Sequence, residues 1–416
     1  MTTAATEAKL SSSALTAGLV IAILLVAANL RATLTGVGTL LPDIEQDTGL
    51  AASWGGVLGA LPLLTFAGTS PFVGRVSHRF GSARVLVAAL AVLAIGTIVR
   101  SLPAPGLLFV GTVLLSVAIA FGNVLLPSLI RHHVPPTRIH TITSLYVTIM
   151  GLVAAVSSGI SVPLAQVLPG SWRSALAWGL LPALIAVVLW LPRLSGGRKA
   201  HSSETARSVT PWASGLAWQV SFFMGLQSLG FYTAIAWLPS ILTHQGMTTA
   251  MAGWMLFVYQ VVALVASMLL PFVTRGRQDQ RSPALIASVL VASGFGTLLA
   301  GPHFTVVACV LLGIGGGACL VLALSFQSQR ADGASGAAAL AGMAQSVGYL
   351  IAAGGPLLLG ILHDATGGWT VSLVLLVSLS GVMAIFGYYS GRDRHVCSQR
   401  SSSSPAVSRA NEKTSR

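Results

Sequence analysis

Long apolar runs alternate with short polar segments along the whole chain, and this pattern predicts an all-α polytopic membrane protein with twelve transmembrane helices. Each run has about 20 residues or more, the length an α-helix needs to cross the hydrocarbon core of a bilayer. The predicted spans are 15–41, 52–73, 83–101, 106–130, 140–166 and 174–192 in the first half, and 213–240, 248–273, 283–301, 304–327, 336–361 and 370–390 in the second.

Polar segments flank and divide these spans. Residues 1–14 are predicted to form an N-terminal tail, 193–211 a linker between two six-helix bundles (15–192 and 212–390), and 391–416 a Ser- and Arg-rich tail. The linker and the C-terminal tail have too little apolar content to order themselves, so we expect the C-terminal tail to be disordered.

Basic residues indicate the orientation in the membrane. With twelve spans, all Lys and Arg residues except Arg31, Arg100 and Arg173 fall on one side, together with both termini. The positive-inside rule assigns that side to the cytoplasm. We therefore expect a multi-pass protein of the inner (plasma) membrane with both termini cytoplasmic and the lipid bilayer as its surroundings.

Composition narrows the function. Charged residues are 8% of the 416, mean hydropathy is +0.81, and the net charge of +13 comes from short loops, so it indicates topology and not nucleic-acid binding. The three cysteines have no disulfide or metal spacing. No P-loop or nucleophile–base pattern is present either, so we expect no enzyme, no metal and no cofactor.

Short motifs recur between the two halves. Leu41-Pro42 returns as Leu238-Pro239, and Gly170-x-Trp172 returns as Gly367-x-Trp369, both at an offset of 197 residues. A repeat of six helices in the same orientation is typical of the major facilitator architecture.

With the loops assigned, the chain resembles the cyanate/2-nitroimidazole transporter family of the major facilitator superfamily over residues 15–395. The motifs that carry the resemblance are Asn29-Leu30-Arg31, Leu41-Pro42-Asp43-Ile44, Gly122-Asn123-Val124-Leu125-Leu126-Pro127, Phe223-Met224-Gly225-Leu226-Gln227-Ser228, Ala236-Trp237-Leu238-Pro239, Met343-Ala344-Gln345-Ser346-Val347-Gly348-Tyr349 and Leu362-His363-Asp364. The resemblance implies two parallel-repeat six-helix bundles and transport by alternating access.

The superfamily's loop between helices 2 and 3 has a signature that departs from its usual form here. It contains Gly74, His78, Arg79 and Gly81, with His78 where the family has Asp. We interpret these four residues, together with Asn123 in helix 4, as gate or conformational residues.

Arg31 is the strongest candidate for substrate contact. It lies in an apolar span, about 15 Å from the Leu41 end at 1.5 Å per residue, too deep for comfortable snorkelling. Intramembrane charge is usually functional, and a guanidinium suits flat or linear anions. The predicted substrate-binding residues are Arg31, Asn29, Thr35, Tyr146, Gln227, Tyr232, Gln260 and Gln345. Each of the polar residues has a structural alternative, an interhelical hydrogen bond.

Two questions stay open at this level. The substrate is either a small polar, anionic solute such as cyanate or, alternatively, a drug-like heteroaromatic compound such as a nitroimidazole that is exported. A narrow cavity with Arg31 exposed favours the first, and a wide cavity lined by aromatics and Met favours the second.

No acid is predicted near the midplane, so the carrier is a uniporter, an exchanger, or a symporter in which protons travel with the substrate or through Asp43. We expect a monomer.

Overall fold

The computed structural model describes residues 2–134, 136–192, 211–331 and 333–394. It is helical throughout. The helices are α1 (Thr2–Thr48), α2 (Ala52–Phe80), α3 (Ser82–Arg100), α4 (Pro105–His133), α5 (Pro136–Val167), α6 (Trp172–Ala177), α7 (Leu180–Trp190), α8 (Gly215–His244), α9 (Thr249–Val273), α10 (Arg281–Leu299), α11 (Thr305–Gln329), α12 (Gly333–Thr366) and α13 (Thr370–Ser390). Short 3₁₀ turns precede α8 and α11.

Each predicted span corresponds to helix in the structure, and the sixth consists of α6 and α7 together. Eleven segments within the described residues are long and apolar enough to cross a membrane. The remaining one, α8, falls outside that group and contains the polar residues Gln219 and Gln227, yet most of its residues are buried. A buried helix can carry polar side chains because neighbouring helices satisfy them.

Several helices are longer than the apolar runs that predicted them. The backbone of α1 is helical from Thr2 to Thr48, whereas the predicted span was 15–41. Apolar residues mark the part of a helix inside lipid, but the backbone hydrogen bonds continue beyond it. Residues 193–210 and 395–416, which hold the predicted linker and C-terminal tail, lie outside the described residues. The bundle boundaries therefore stay a prediction.

Helix packing divides into contacts within each half and contacts between halves. In the first half α1 packs on α5, and α4 on both α2 and α3; in the second, α11 packs on α9 and α10, and α13 on α8 and α10. The halves meet where α2 packs on α12, α5 on α9 and α1 on α8. The space between these three contacts is where a solute could cross.

The contacts between halves are tight on the side away from the basic loops, which we call the acidic side after Asp43, Glu45 and Asp47. A Cβ placed on Gly56 of α2 would lie 2.5 Å from the carbonyl oxygen of Pro356 in α12. One placed on Gly360 would lie 2.6 Å from the carbonyl oxygen of Ala52. Only glycine permits this backbone approach.

The other side of the interface, which carries the basic loops and is called the basic side, is looser. A Cβ at Gly68 or Gly74 of α2, or at Gly342 of α12, would meet no heavy atom within 4 Å. Gln345 and Ser346 of α12 are exposed. The structure is therefore closed on the acidic side and open on the basic side.

Candidate functional site

Arg31 lies midway along the spanning part of α1, on the face turned toward the second half. Its guanidinium lies near Tyr232 of α8 and Tyr349 of α12, and Arg31 and Tyr232 line the same cavity. No carboxylate pairs with it among the residues that the structure describes. Arg31 is half-buried, and a partly desolvated cation without an acidic partner attracts an anion, because its charge is not neutralised locally.

A cavity of about 50 Å³ surrounds this cation. It lies between α1, α2 and α8, with Arg100 of α3 and Thr112 of α4 at its first-half wall. Its lining consists of Arg31, Leu34, Thr35, Val37, Gly38, Leu41, Gly55, Leu58, Gly59, Pro62, Arg100, Thr112, Tyr232, Ile235 and Ala236. Most of these side chains are apolar, so the few polar groups decide which solute is held.

Hydrogen bonds to α5 fix the position of this part of α1. The Thr35 hydroxyl donates to the carbonyl oxygen of Ala154 at 3.0 Å, and the Ser157 hydroxyl donates to that of Ala32 at 2.8 Å. Gly36 lets the two helices approach, since a Cβ there would lie 2.5 Å from the hydroxyl oxygen of Ser161. Thr35 lines the cavity, with its hydrogen atom committed to α5.

Arg100 is a second guanidinium at the cavity and was not among the substrate-binding residues predicted from the sequence. Its side chain is 1% exposed and donates to the carbonyl oxygens of Thr33 at 2.6 Å and Leu176 at 2.9 Å. Leu176 lies in the last turn of α6, so this bond uses a carbonyl next to the break between α6 and α7. Gly179 at the break packs on Thr33. Arg100 therefore ties α3 to α1 and α6. One feature of the sequence could have drawn attention to Arg100: it is one of the three basic residues that do not fall on the basic side of the membrane.

Two predicted residues, Asn29 and Gln227, lie away from the lining of the cavity at Arg31; Asn29 bonds to another helix, and Gln227 bonds within α8. Asn29 is buried and donates to the carbonyl oxygens of Leu25 and of Pro182 in α7. Gln227 donates to the Ser228 hydroxyl at 2.9 Å and lines a separate cavity of about 20 Å³ inside the second half.

Gln260 forms a polar contact between the two halves. Its amide donates to the hydroxyl of Ser158 in α5 at 2.6 Å, across the contact of α5 with α9. This bond lies beside Gly253, whose Cβ would be 3.0 Å from the Ser158 carbonyl oxygen. Gln260 thus bridges the halves and does not line the cavity.

The remaining predicted residues lie toward the basic side. Tyr146 of α5 is half-buried and packs on the first-half core, while Gln345 of α12 is exposed. Asn123 of α4 is half-buried. Their roles stay predictions.

The predicted gate loop lies on the same side, but it is helical for most of its length: α2 continues to Phe80 and α3 begins at Ser82, so the loop prediction was wrong for Gly74, His78 and Arg79. Gly74, His78 and Arg79 are exposed, and the Arg79 guanidinium lies 5.3 Å from the centroid of the Phe80 ring. Gly81 ends α2 with φ of +89°, a conformation that favours glycine, and its N–H donates to the Ser77 carbonyl oxygen. The turn thus has a physical need for glycine at 81, whereas Gly74 is helical with open space around it.

Acidic residues close the opposite side. The carboxylate of Asp364 in α12 accepts from the backbone N–H groups of Ala52, at 3.1 Å, and Ser53, at 2.8 Å. It therefore caps the N-terminus of α2 from the other half of the protein, where a negative charge is favoured by the helix dipole. We call this contact the α2 cap. Asp364 belongs to the motif Leu362-His363-Asp364, in which the sequence pattern gives it no role.

Two other carboxylates lie close to the α2 cap. Glu45 is half-buried beside Gly55, and its Oε1 atom is buried without a hydrogen-bond partner among the described residues. Asp43, the predicted proton relay, is half-buried at the same end of α1. The relay stays a prediction, and Glu45 is the carboxylate nearer to the interface between halves.

The chain matches the family model of the Major Facilitator Superfamily over residues 19–353. It belongs to this superfamily. The 2-nitroimidazole transporter of Escherichia coli is 42% identical over 381 residues, which cover 91% of this chain and 96% of that protein. The cyanate transport protein CynX of the same organism is 30% identical over 364 residues, covering 84% and 91%.

Solved structures of the superfamily share the fold. A bacterial homologue of the human lysosomal transporter Spinster, in an inward-facing and occupied conformation, superposes with a TM-score of 0.76 at 16% identity and covers 93% of this chain and 98% of that one. The protein is therefore a multi-pass membrane transporter of the major facilitator fold, similar to the cyanate and 2-nitroimidazole transporters.

Proposed function

We propose that this transporter moves a small, polar, anionic solute of the size of cyanate across the plasma membrane by alternating access. The observation that carries the proposal is the unpaired guanidinium of Arg31 in the cavity between the halves. An anion there would form charge-assisted hydrogen bonds with Arg31, while Tyr232 from the second half would complete its coordination.

The chemistry of the lining supports a small solute. Among the described residues that line the cavity, Tyr232 is the one aromatic residue and none is Met. A cavity of about 50 Å³ has room for a few water-sized groups, since one water needs about 10–15 Å³ by the same kind of measure. A linear or flat anion of three or four heavy atoms fits these dimensions.

Export of a heteroaromatic compound is the second candidate. It is favoured by the 42% identity to a protein that is named a 2-nitroimidazole transporter. In this case the ring would stack on Tyr232 and a polar substituent would bind Arg31, and the cavity would have to widen when the basic side opens further.

Alternating access requires the acidic side to open in turn. We propose that the basic side is cytoplasmic, so that the structure is inward-facing and both termini are in the cytoplasm. Opening to the outside would separate α2 from α12 and α1 from α8, which breaks the α2 cap made by Asp364. A solute bound at Arg31 would touch both halves and could favour the exchange between the two states.

Counterflow in proteoliposomes tests this proposal. Vesicles loaded with cyanate, bicarbonate, nitrate or a nitroimidazole are diluted into the labelled compound, and uptake is compared for the wild type, Arg31→Ala and Arg31→Lys. We expect uptake of a small anion that Arg31→Ala abolishes and Arg31→Lys retains in part, with equal amounts of folded protein. Full anion counterflow by Arg31→Ala would refute the anion site. Counterflow of the nitroimidazole alone would favour the second candidate.

The coupling ion is tested in the same vesicles. Imposing a proton gradient should leave uptake unchanged for a uniporter or an exchanger. If the gradient drives uptake, the variants Asp43→Asn and Glu45→Gln distinguish two routes for the proton. Proton-driven uptake should be lost in the variant whose carboxylate relays the proton, and it should persist in both variants if the substrate carries the proton.

A further inference from the structure

A second polar cavity, separate from the one at Arg31, opens on the basic side of the second half. It has a volume of about 410 Å³ and lies between α9, α11 and the turn that joins α9 to α10. Its polar lining comes from Arg275, Arg277, Gln278 and Gln280 of the turn and from Ser325 and Gln329 of α11. We call it the turn pocket. Nothing in the transport site uses it.

The turn pocket is positively charged. Arg275 and Arg277 are exposed and form no ion pair with any carboxylate in the described part of the chain. The nearby carboxylate of Asp279 is committed to Arg281, whose Nε donates to it at 2.8 Å. This bond lowers the pKa of Asp279 to about 2, so the carboxylate stays ionised and paired and does not neutralise the pocket.

The turn that carries both arginines is held in place by a buried residue. Arg330, at the end of α11, donates to the carbonyl oxygens of Gln278 at 3.0 Å, Ser390 at 3.1 Å and Gly391 at 3.0 Å. Gly276 has φ of +77° between the two arginines, which places them on a tight turn. The backbone next to Arg277 is therefore hydrogen-bonded to Arg330, and the two arginine side chains extend from this turn.

An exposed apolar face of α9 leads to the same turn. Val265, Met268, Leu269 and Phe272 are 48%, 52%, 56% and 75% exposed, and their spacing of three, one and three residues puts them on one side of the helix. In a membrane-spanning helix such a face contacts lipid chains. A ligand that is anionic at one end and apolar along its length would match both features.

We propose that the turn pocket binds the phosphate headgroup of an anionic phospholipid from the leaflet on the basic side, with an acyl chain along the exposed face of α9. Arginine binds phosphate through paired hydrogen bonds, and basic pockets between helices on the cytoplasmic side are suited to such headgroups. The other reading is that Arg275 and Arg277 act only as topology signals, which requires no specific ligand.

The test uses the full-length protein in a neutral detergent and measures binding of phosphatidylglycerol and phosphatidylcholine by native mass spectrometry. We expect phosphatidylglycerol to bind at least tenfold more tightly than phosphatidylcholine. The double variant Arg275→Gln/Arg277→Gln should weaken phosphatidylglycerol binding by about 30-fold, given the contribution of a basic side chain near an anionic lipid. The matched control Arg84→Gln/Arg138→Gln removes two exposed arginines elsewhere and should have no effect.

Two further arms identify which part of the lipid is recognised. Phe272→Ser should weaken binding of long-chain phosphatidylglycerol and leave a short-chain form unaffected, and soluble glycerol phosphate should compete only at far higher concentration. Thermal melting identifies any variant that fails to fold. Equal binding of both lipids, equal weakening by the control pair, or full competition by glycerol phosphate would overturn the proposal.

Discussion

Gly56→Ala is expected to shift the transporter away from the conformation that the structure shows. The new methyl group would lie 2.5 Å from the carbonyl oxygen of Pro356 and 3.1 Å from the Cα of Leu357. Both are backbone atoms of α12, so no side chain can move aside to make room. The contact between α2 and α12 on the acidic side must therefore loosen, and the state in which this side is open gains population.

The size of the shift follows from the cost of overpacking. Forcing a methyl group into a close contact costs about 1–3 kcal/mol, which corresponds to a change of about 5- to 150-fold in the equilibrium between the two states. If the state open on the acidic side makes up about 1% of the wild type, it would rise to about 5–60% in the variant. Gly68→Ala is the matched control, because it lies on the same helix and its Cβ would meet no heavy atom within 4 Å.

Pulsed electron paramagnetic resonance measures this equilibrium. Spin labels at Gln46→Cys in α1 and Ala365→Cys in α12 report the separation of the halves on the acidic side, in a background with the three native cysteines replaced by alanine. We expect a longer-distance population in Gly56→Ala and an unchanged distribution in Gly68→Ala. The packing argument fails if the two variants give the same distribution.

Three further predictions concern residues that hold the helices together. Asp364→Ala removes the α2 cap, worth about 0.5–2 kcal/mol for a helix N-cap, and should increase the long-distance population of the same spin-label pair, whereas an unchanged distribution would show that the cap does not hold the gate. Arg100→Lys replaces the two guanidinium nitrogens that donate to the carbonyl oxygens of Thr33 and Leu176 by a single ammonium nitrogen, so it should cost about 1.5–3 kcal/mol and lower the melting temperature in detergent, unlike the exposed control Arg84→Lys; equal melting temperatures for the two variants would contradict the role of this paired contact. Gln260→Leu removes the bond to Ser158, and its effect on the same equilibrium should be smaller, about 0.6 kcal/mol; a shift as large as that of Gly56→Ala would mean that this bond controls the gate.

The fold could be predicted from the sequence because its signal is carried by whole helices. The apolar runs, the basic loops and the repeat at an offset of 197 residues are each patterns that extend over many positions. Such patterns indicate the fold without any knowledge of individual side-chain contacts. The superfamily match confirms the fold that they predicted. The break between α6 and α7 could not be predicted in this way, because it depends on Arg100 reaching a carbonyl oxygen 76 residues away.

The site was accessible to sequence reasoning only in part. Arg31 stood out because a cation in an apolar run has few explanations, and its neighbour Tyr232 was named with it. In the sequence, Gln227 and Asn29 were indistinguishable from residues that line the cavity at Arg31, since an amide deep in a span can equally bond within its own helix or to a neighbouring one. Asp364 was not assigned a role because its partners are backbone N–H groups of α2, which leave no trace in the side-chain pattern.

The central claim, that Arg31 binds an anionic substrate between the two halves, is tested most directly by equilibrium binding. The dissociation constant of the anion identified by counterflow is measured by titration calorimetry on the purified wild type, on Arg31→Gln and on the charge-matched control Arg84→Gln. The loss of a charge-assisted hydrogen bond predicts about 10- to 150-fold weaker binding for Arg31→Gln and an unchanged constant for Arg84→Gln. Equal affinity in all three proteins would contradict the claim.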